Sequence, residues 1–224
     1  MTPPSPRVRV AAQKPPERHV AVLVVIFTVD AGGLRVLLVR RSAEPFKDYW
    51  SLPGGLLNRD ETLEQAAVRK LDDETGVSDV FLEQLFTFSD LDGRGSVAVA
   101  YFALVAIGEA HLARRSEWEP GWFPVDDLPP LAFQNEHVID YAVERLRAKL
   151  DYSNVAYSLL PEEFPLSQLQ RTYEAILARP LDKRNFRKRV LSLGIVEPTG
   201  RRASVGRHRP AQLYRFHERR PVVF

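Results

Sequence analysis

The feature that most restricts the fold is an unbroken run of eight apolar residues, Val20 to Phe27, rich in β-branched side chains. The run is far too short to span a bilayer, and its composition favours a buried β-strand from about His19 to Val29. A turn is predicted at Asp30–Gly33, and the apolar residues from Leu34 to Arg40 return as a second strand. We therefore expect the core to begin with a β-hairpin.

Further elements follow without a regular alternation of strand and helix. Apolar residues spaced by three or four predict helices over Glu61–Thr75 and Gln134–Leu150, and Gly76 is a C-terminal stop signal for the first. Strand-like runs cover Val80–Ser89 and Ser96–Ile107. This order predicts an α/β sandwich with a mixed sheet.

The composition excludes some chemistry and divides the chain in two. The absence of cysteine excludes disulfides, thiolate metal sites and cysteine nucleophiles, and it fits a cytoplasmic protein. Residues 1–150 hold 17 Lys/Arg and 22 Asp/Glu, a net charge of −5, whereas residues 151–224 hold 14 and 7, a net charge of +7. Two modules with different partners are expected, and the basic one is a candidate for binding nucleic acid.

The predicted boundaries follow the prolines and the charge. Residues 1–17 contain five prolines and few large apolar groups, which predicts a disordered N-terminal tail. Residues 18–150 form the first predicted domain. Residues 151–224 contain the second, and residues 151–166, with Pro161 and Pro165, are interpreted as the linker.

The basic module has the pattern of a winged helix-turn-helix. An apolar stripe predicts one helix over Ser167–Ala178, and a break at Arg179–Pro180 separates it from a second helix over Asp182–Leu193. Asp182 is a good N-cap, and the stretch Ile195–Phe216 would form the wing. A basic, exposed helix after a short turn suits the DNA major groove.

The candidate DNA-binding residues are polar and mostly cationic. Between Arg171 and Arg215 there are 12 Lys/Arg and only 3 Asp/Glu, a density that predicts phosphate contacts and strong salt dependence. Asn185 could read an adenine edge or simply occupy the start of the helix. The predicted contacts are Lys183, Arg184, Asn185, Arg187 and Lys188 on the helix and Arg201, Arg202, Arg207, His208 and Arg209 on the wing. A protein-binding module is the alternative.

The segment GGLLNRDETLEQAAVRKLDDETGV resembles the signature of Nudix hydrolases. The match covers Gly55, Glu61, Arg69, Leu71, Glu74, Gly76 and Val77. The resemblance implies an α/β/α sandwich and a helix whose acidic side chains hold Mg²⁺, which bridges diphosphate oxygens.

The signature also departs from the family pattern at positions that hold the metal. The family pattern expects glutamate at three positions that are Lys70, Asp73 and Glu74 here, so their summed charge is −1 instead of −3. Such a loss should weaken a metal site made of oxygen ligands, so no metal and no catalytic residue are assigned, and Mg²⁺ is not expected as a cofactor. Glu61 and Arg69 are expected to brace the loop. Retained hydrolysis through other nearby carboxylates is the alternative.

A site without catalysis can still bind a ligand. Aromatic side chains could stack on a base or cover a sugar, although each is also a plausible core residue. The predicted ligand-binding residues are Phe46, Trp50, Gly54, Gly55, Arg69, Glu74, Phe133, Asn135 and His137. The helix Gln134–Leu150 is a candidate for transmitting the state of this pocket to the basic module, while His137 could equally be an ordinary surface residue.

From about His19 to Phe216 the chain resembles the Nudix-related transcriptional regulators of bacteria, because a damaged Nudix signature precedes LDKRNFRKRVLSLG and GRHRPAQLYRF. The resemblance implies a homodimeric repressor of genes for NAD synthesis or salvage, whose effector is ADP-ribose or a related nucleotide and whose other partner is operator DNA. An active Nudix hydrolase and a regulator of sugar catabolism are the alternatives. No membrane partner is expected.

Overall fold

The computed structural model describes residues 19–76, 81–91, 93, 95–110, 112, 118–203 and 210–224. The predicted N-terminal tail and the wing residues Arg207, His208 and Arg209 therefore lie outside the described residues, as does Val77 of the Nudix signature.

The larger sheet has seven strands and mixes parallel and antiparallel pairs. Its strands are β1 (Val20–Asp30), β2 (Gly33–Arg41), β3 (Trp50–Ser51), β4 (Gly54–Leu56), β5 (Phe81–Ser89), β6 (Val97–Leu104) and β7 (Trp118–Pro124). The order β3-β2-β1-β6-β5 forms its main path, while β4 pairs with β1 and β7 with β2. Only the β1–β6 pair is parallel among the pairs described. The predicted hairpin and mixed sheet are confirmed.

Helices cover both faces of this sheet. Helix α1 (Leu63–Thr75) packs on one face and helix α2 (Asn135–Tyr152) on the other. Strand β1 alternates accordingly, because Val24 and Ile26 pack with α1 whereas Val25 and Phe27 face α2. This is the predicted α/β/α sandwich.

The ends of α1 follow from its sequence. Thr62 accepts a hydrogen bond from the Gln65 backbone N–H (3.2 Å), and the Gln65 side chain accepts one from the Thr62 N–H (2.8 Å). Gly76 ends the helix in a left-handed conformation, at φ 66°. The helix therefore begins two residues after the predicted start at Glu61, since Thr62 is its cap.

The C-terminal module contains helices α3 (Leu166–Leu177) and α4 (Lys183–Ser192), followed by the strands β9 (Val196–Ala203) and β10 (Ala211–Phe216). The short strand β8 (Phe164–Pro165) pairs with β10, which gives a three-stranded sheet in the order β8-β10-β9. The predicted winged helix-turn-helix is confirmed.

The segment interpreted as a linker is a packed part of the core. A 3₁₀ helix spans Val155–Leu159, and the side chains of Val155, Leu160 and Phe164 are at most 1% exposed. They belong to one buried cluster that joins the α2 face of the large sheet to α3, α4 and β10. The segment connects the two modules, and its apolar side chains are buried against both of them.

Strand β7 is absent from the sequence prediction. Its residues, WEPGWFP, include two prolines and a glycine, which are rare inside strands. Antiparallel pairing with β2 nevertheless adds it to the sheet. None of the described helices combines the length and the apolar character needed to cross a membrane.

Candidate ligand cavity and DNA-binding surface

A cavity of about 660 Å³ opens beside the Nudix signature. It lies among strand β1, the end of β2, the loop before α1 and the turn that precedes α2. Its volume is in the range of small-molecule sites. Five of the nine predicted ligand-binding residues line it: Gly54, Gly55, Glu74, Phe133 and Asn135.

The turn at Phe133 is held in an unusual backbone conformation. Phe133 and Gln134 both have positive φ, at 55° and 52°, which is uncommon for residues other than glycine and concentrates at functional sites. The Phe133 ring contacts the Phe46 ring edge-on, with 4.9 Å between centroids, and the guanidinium of Arg41 lies 4.6 Å above it. Phe133 therefore lines the cavity with aromatic support from Phe46, which is 41% exposed.

Asn135 fixes this turn to Leu52, another residue that lines the cavity. Its side-chain oxygen accepts a hydrogen bond from the Leu52 N–H at 2.8 Å, and the residue is 1% exposed. Asn135 is also the first residue of α2. The start of that helix is thus tied directly to the cavity wall.

Three predicted ligand-binding residues lie elsewhere. Trp50 packs edge-on against Phe123, at 4.6 Å between ring centroids, and Arg69 pairs with Glu61. His137 is exposed on the first turn of α2. Together with Phe46, these residues are not among those that line the cavity.

Glu61 and Arg69 form a bidentate ion pair. Arg69 donates to both carboxylate oxygens, at 3.0 and 2.6 Å, and the Asn58 N–H donates to the same carboxylate at 3.1 Å. These hydrogen bonds, led by the one from Arg69, lower the pKa of Glu61 to about 2. The pair joins the signature loop to α1, as the sequence predicts.

The remaining signature positions differ in their surroundings. Asp73 lies 3.8 Å from Arg69 on the same side of α1. Lys70 is 9% exposed and Glu74 is 1% exposed. A Cβ on Gly55 would lie 3.4 Å from Lys70 Cε and 3.7 Å from its Nζ, so the ammonium lies close to Gly55, which lines the cavity.

This donor set differs from the one that holds the divalent metal of Nudix hydrolases. The family site needs several carboxylates free to coordinate one cation. Here Arg69 forms an ion pair with Glu61 and lies close to Asp73, and position 70 carries the ammonium group of a lysine instead of a carboxylate. Glu74 is the acidic signature residue that reaches the cavity.

The cations at the end of β2 were not predicted as ligand-binding residues from the sequence. Arg40 and Arg41 both line the cavity, as does His19 at the start of β1. Burial lowers the pKa of Arg41, against an opposing effect of Glu44, and Arg41 donates to the Pro45 carbonyl at 2.9 Å. Two adjacent arginines at the end of a buried strand were the available signal.

Helix α4 presents a cationic surface. Asp182 accepts from the Asn185 N–H at 2.8 Å and caps the helix, while Phe186 and Val190 are buried against the module. The predicted contact residues are exposed: Lys183, Arg184, Asn185, Arg187 and Lys188, with Arg201 and Arg202 on the wing. Within the described residues, Lys183, Arg184 and Lys188 make no ion pair.

Other arginines of this module form hydrogen bonds or ion pairs with neighbouring residues. Arg187 donates to the Tyr214 hydroxyl at 3.3 Å, and Arg201 pairs with Glu163 at 3.0 Å. Arg189 donates to the carbonyl and to the carboxylate of Asp151, both at 3.1 Å. Asp151 lies in the last turn of α2, so this helix contacts the DNA-facing helix at one end and the cavity at the other.

Two family matches cover the described modules. Residues 17–142 match the NUDIX domain, and residues 156–216 match the NrtR DNA-binding winged helix domain. The chain is 38% identical over 208 residues to the ADPR-responsive transcriptional repressor NtrR of Acinetobacter baylyi, covering 90% of this chain and 83% of that protein. It is also 38% identical over 110 residues to an ADP-ribose pyrophosphatase of Methanocaldococcus jannaschii, covering 48% and 65%.

Two solved structures extend the similarity to three dimensions. NrtR of Shewanella oneidensis in complex with a 27mer DNA superposes with a TM-score of 0.78 at 38% identity, covering 88% of this chain and 93% of that one. The Nudix domain of the same protein with ADP-ribose superposes with a TM-score of 0.53 at 38% identity, covering 61% and 95%.

Proposed function

The chain belongs to the Nudix-related transcriptional regulators that carry an NrtR winged helix domain, and we propose that it is a repressor controlled by ADP-ribose or a related nucleotide. In this proposal helix α4 and the wing bind operator DNA, and the cavity beside the Nudix signature binds the nucleotide. Control of genes for NAD synthesis or salvage and a cytoplasmic location are parts of the same proposal.

The observation that carries the proposal is the position of helix α2. It begins at Asn135 in the cavity wall and ends beside Arg189 of the DNA-facing helix, about 27 Å away at 1.5 Å per residue. Arg147, near its middle, also donates to the Ile176 carbonyl of α3 at 2.9 Å. A ligand that moves the start of this helix therefore acts on the winged module through direct contacts.

Ligand control requires different affinities for two conformations. We infer that the nucleotide favours an arrangement of α2 and α4 that fits DNA poorly. A 100-fold effect on DNA affinity corresponds to about 2.7 kcal/mol, within the usual range of allosteric coupling. The buried cluster that joins the two modules favours coupling through packing, since apolar side chains cannot separate without cost.

The same proposal assigns no physiological hydrolysis to the signature. Support comes from the engagement of Glu61 by Arg69 and from the ammonium at position 70. The similarity to an ADP-ribose pyrophosphatase and the intact Glu61–Arg69 brace favour the second candidate, an active hydrolase. The two candidates differ in whether bound ADP-ribose is released unchanged or is hydrolysed.

We further propose a homodimer on a palindromic operator. Two winged modules about 34 Å apart would meet successive major grooves on one side of the duplex.

One assay separates the candidates. Purified full-length protein is incubated with DNA from upstream of its own gene, with and without ADP-ribose, and DNA binding is followed by gel shift while AMP release is measured with Mg²⁺ present. The repressor predicts a shifted band that weakens with ADP-ribose, and no appreciable AMP. Turnover at ordinary enzyme rates without DNA binding would establish the hydrolase instead.

A further inference from the structure

The cavity wall is cationic, where a Nudix hydrolase needs acidic side chains. Arg40 and Arg41 line the cavity, and among the described lining residues Glu74 is the one carboxylate. A diphosphate has no need of a bridging metal when cations already face it, since arginine and lysine bind phosphate oxygens directly.

Lys70 adds a third positive charge to this wall. Its Nζ lies 3.7 Å from the point where a Cβ on Gly55 would sit, and Gly55 itself lines the cavity. The side chain is 9% exposed, so water screens its charge poorly. Position 70 is also one of the three where the Nudix signature expects a metal-holding glutamate.

We propose that Lys70 replaces the divalent cation of the ancestral site, so that this cavity recognises a nucleoside diphosphate without metal. The inference rests on the proposed function, because it concerns the same ligand and cavity. Lys70 acts electrostatically from beside Gly55, while Arg40 and Arg41 provide the cations on the open surface of the wall.

Electrostatics set the size of the expected effect. Two unit charges about 12 Å apart, at an effective dielectric constant of about 20, attract strongly enough to change a binding constant about tenfold. Reversing the charge at position 70 changes it by two units and should therefore weaken diphosphate binding by about 100-fold. The same reversal would recreate an acidic position that Mg²⁺ can use.

The test measures the affinity of the full-length chain for ADP-ribose by calorimetry, in EDTA and in Mg²⁺. Wild-type protein should bind equally well in both buffers. Lys70→Glu should bind about 100-fold more weakly in EDTA and recover part of the loss in Mg²⁺. Arg171→Glu makes the same charge change at an exposed position of α3 that does not line the cavity, and we expect no effect on nucleotide affinity from this control.

A second variant separates the loss of charge from misfolding as a cause of weaker binding. Lys70→Met retains a long side chain without charge, and we expect affinity to fall about tenfold in both buffers. Wild-type binding that requires Mg²⁺, or Lys70→Met binding as tightly as wild type, would overturn the inference and leave the proposed function standing. No ADP-ribose binding by wild type in either buffer would overturn the proposed function itself.

Discussion

Lysine occurs in two contrasting settings in this protein. Lys70 is almost fully buried beside the cavity, on a helix that packs against the large sheet, whereas Lys183 and Lys188 are exposed on the helix that faces outward from the winged module. A buried charge acts strongly on one small ligand, while exposed charges act together on a polyanion and are weakened by salt. The residue type alone therefore does not identify its role.

The two regions also differ in how their cations are balanced. Near the signature, Arg69 forms an ion pair with Glu61. Among the exposed cations of α4, Arg187 contacts the Tyr214 hydroxyl and Arg189 contacts Asp151. The α2 face of the large sheet and the winged module nevertheless share one buried cluster, whereas α1, which carries the signature, packs in a second cluster on the other face of the sheet.

The largest expected effect concerns this shared core. Phe164→Ala removes a fully buried ring that packs 5.1 Å from Phe216, and we expect it to lower the free energy of unfolding by about 3–5 kcal/mol. Urea denaturation followed by tryptophan fluorescence should give one transition that shifts as a whole. Phe86→Ala, at a half-exposed ring, is the matched control and should cost about 1 kcal/mol. If two unfolding transitions appeared and only one shifted in the variant, the two modules would have separate cores.

The next effect distinguishes the two cationic regions. Arg184→Gln combined with Lys188→Gln should reduce operator affinity about 100-fold or more, because each loses a charge-assisted contact to phosphate. The slope of log affinity against log salt should become shallower by about 1.8. Fluorescence anisotropy with labelled DNA measures both quantities.

The control for this double variant is Arg59→Gln, which removes an exposed cation from the Nudix module. We expect operator affinity to stay close to wild type in the control, and ADP-ribose affinity to stay unchanged in the double variant. An equal loss of affinity in both variants would mean that the overall charge of the protein, and not helix α4 in particular, determines operator affinity.

A smaller effect tests the connection between the regions. Arg189→Gln removes the ion pair with Asp151, whose two side chains are 54% and 74% exposed. Solvent screening limits such a pair to about 1 kcal/mol, so the effect of ADP-ribose on DNA affinity should fall by about fivefold at most. Anisotropy titrations with and without ADP-ribose give this ratio. An unchanged ratio would exclude the contact as part of the connection.

The smallest effect concerns pH and the Glu61–Arg69 brace. Because the pKa of Glu61 is lowered to about 2, its ionised form stabilises the folded chain above about pH 4.5. That contribution is lost as pH falls from about 4.5 towards 2. The difference in Tm between wild type and Glu61→Gln should shrink over this interval. A constant difference would show that the ionised brace does not stabilise the fold.

Periodicity and cap residues made much of the fold predictable. The run from Val20, the helix ending at Gly76 and the helix capped by Asp182 all lie close to their predicted places, because each carries a local signal. Strand β7 carries no such signal, and its prolines oppose it; only pairing with β2 makes it a strand. The burial of residues 155–160 and of Phe164 depends on packing between the two modules, which local sequence patterns do not indicate.

The cavity was predictable only in part for the same reason. Gly55 and Glu74 follow from the signature, whereas the direction of Arg41 depends on the register of β2 and on the turn at Phe133. His137 lies two residues after Asn135, on the exposed side of α2, and helical phase at a terminus is hard to derive from sequence.

The central claim is an energetic connection between cavity and recognition helix, and linkage offers its most direct test. If ADP-ribose weakens operator binding by some factor, operator DNA must weaken ADP-ribose binding by the same factor. Calorimetric titration of the free protein and of its operator complex in EDTA should give ADP-ribose affinities that differ by at least about tenfold. Equal affinities in the two titrations would contradict the account.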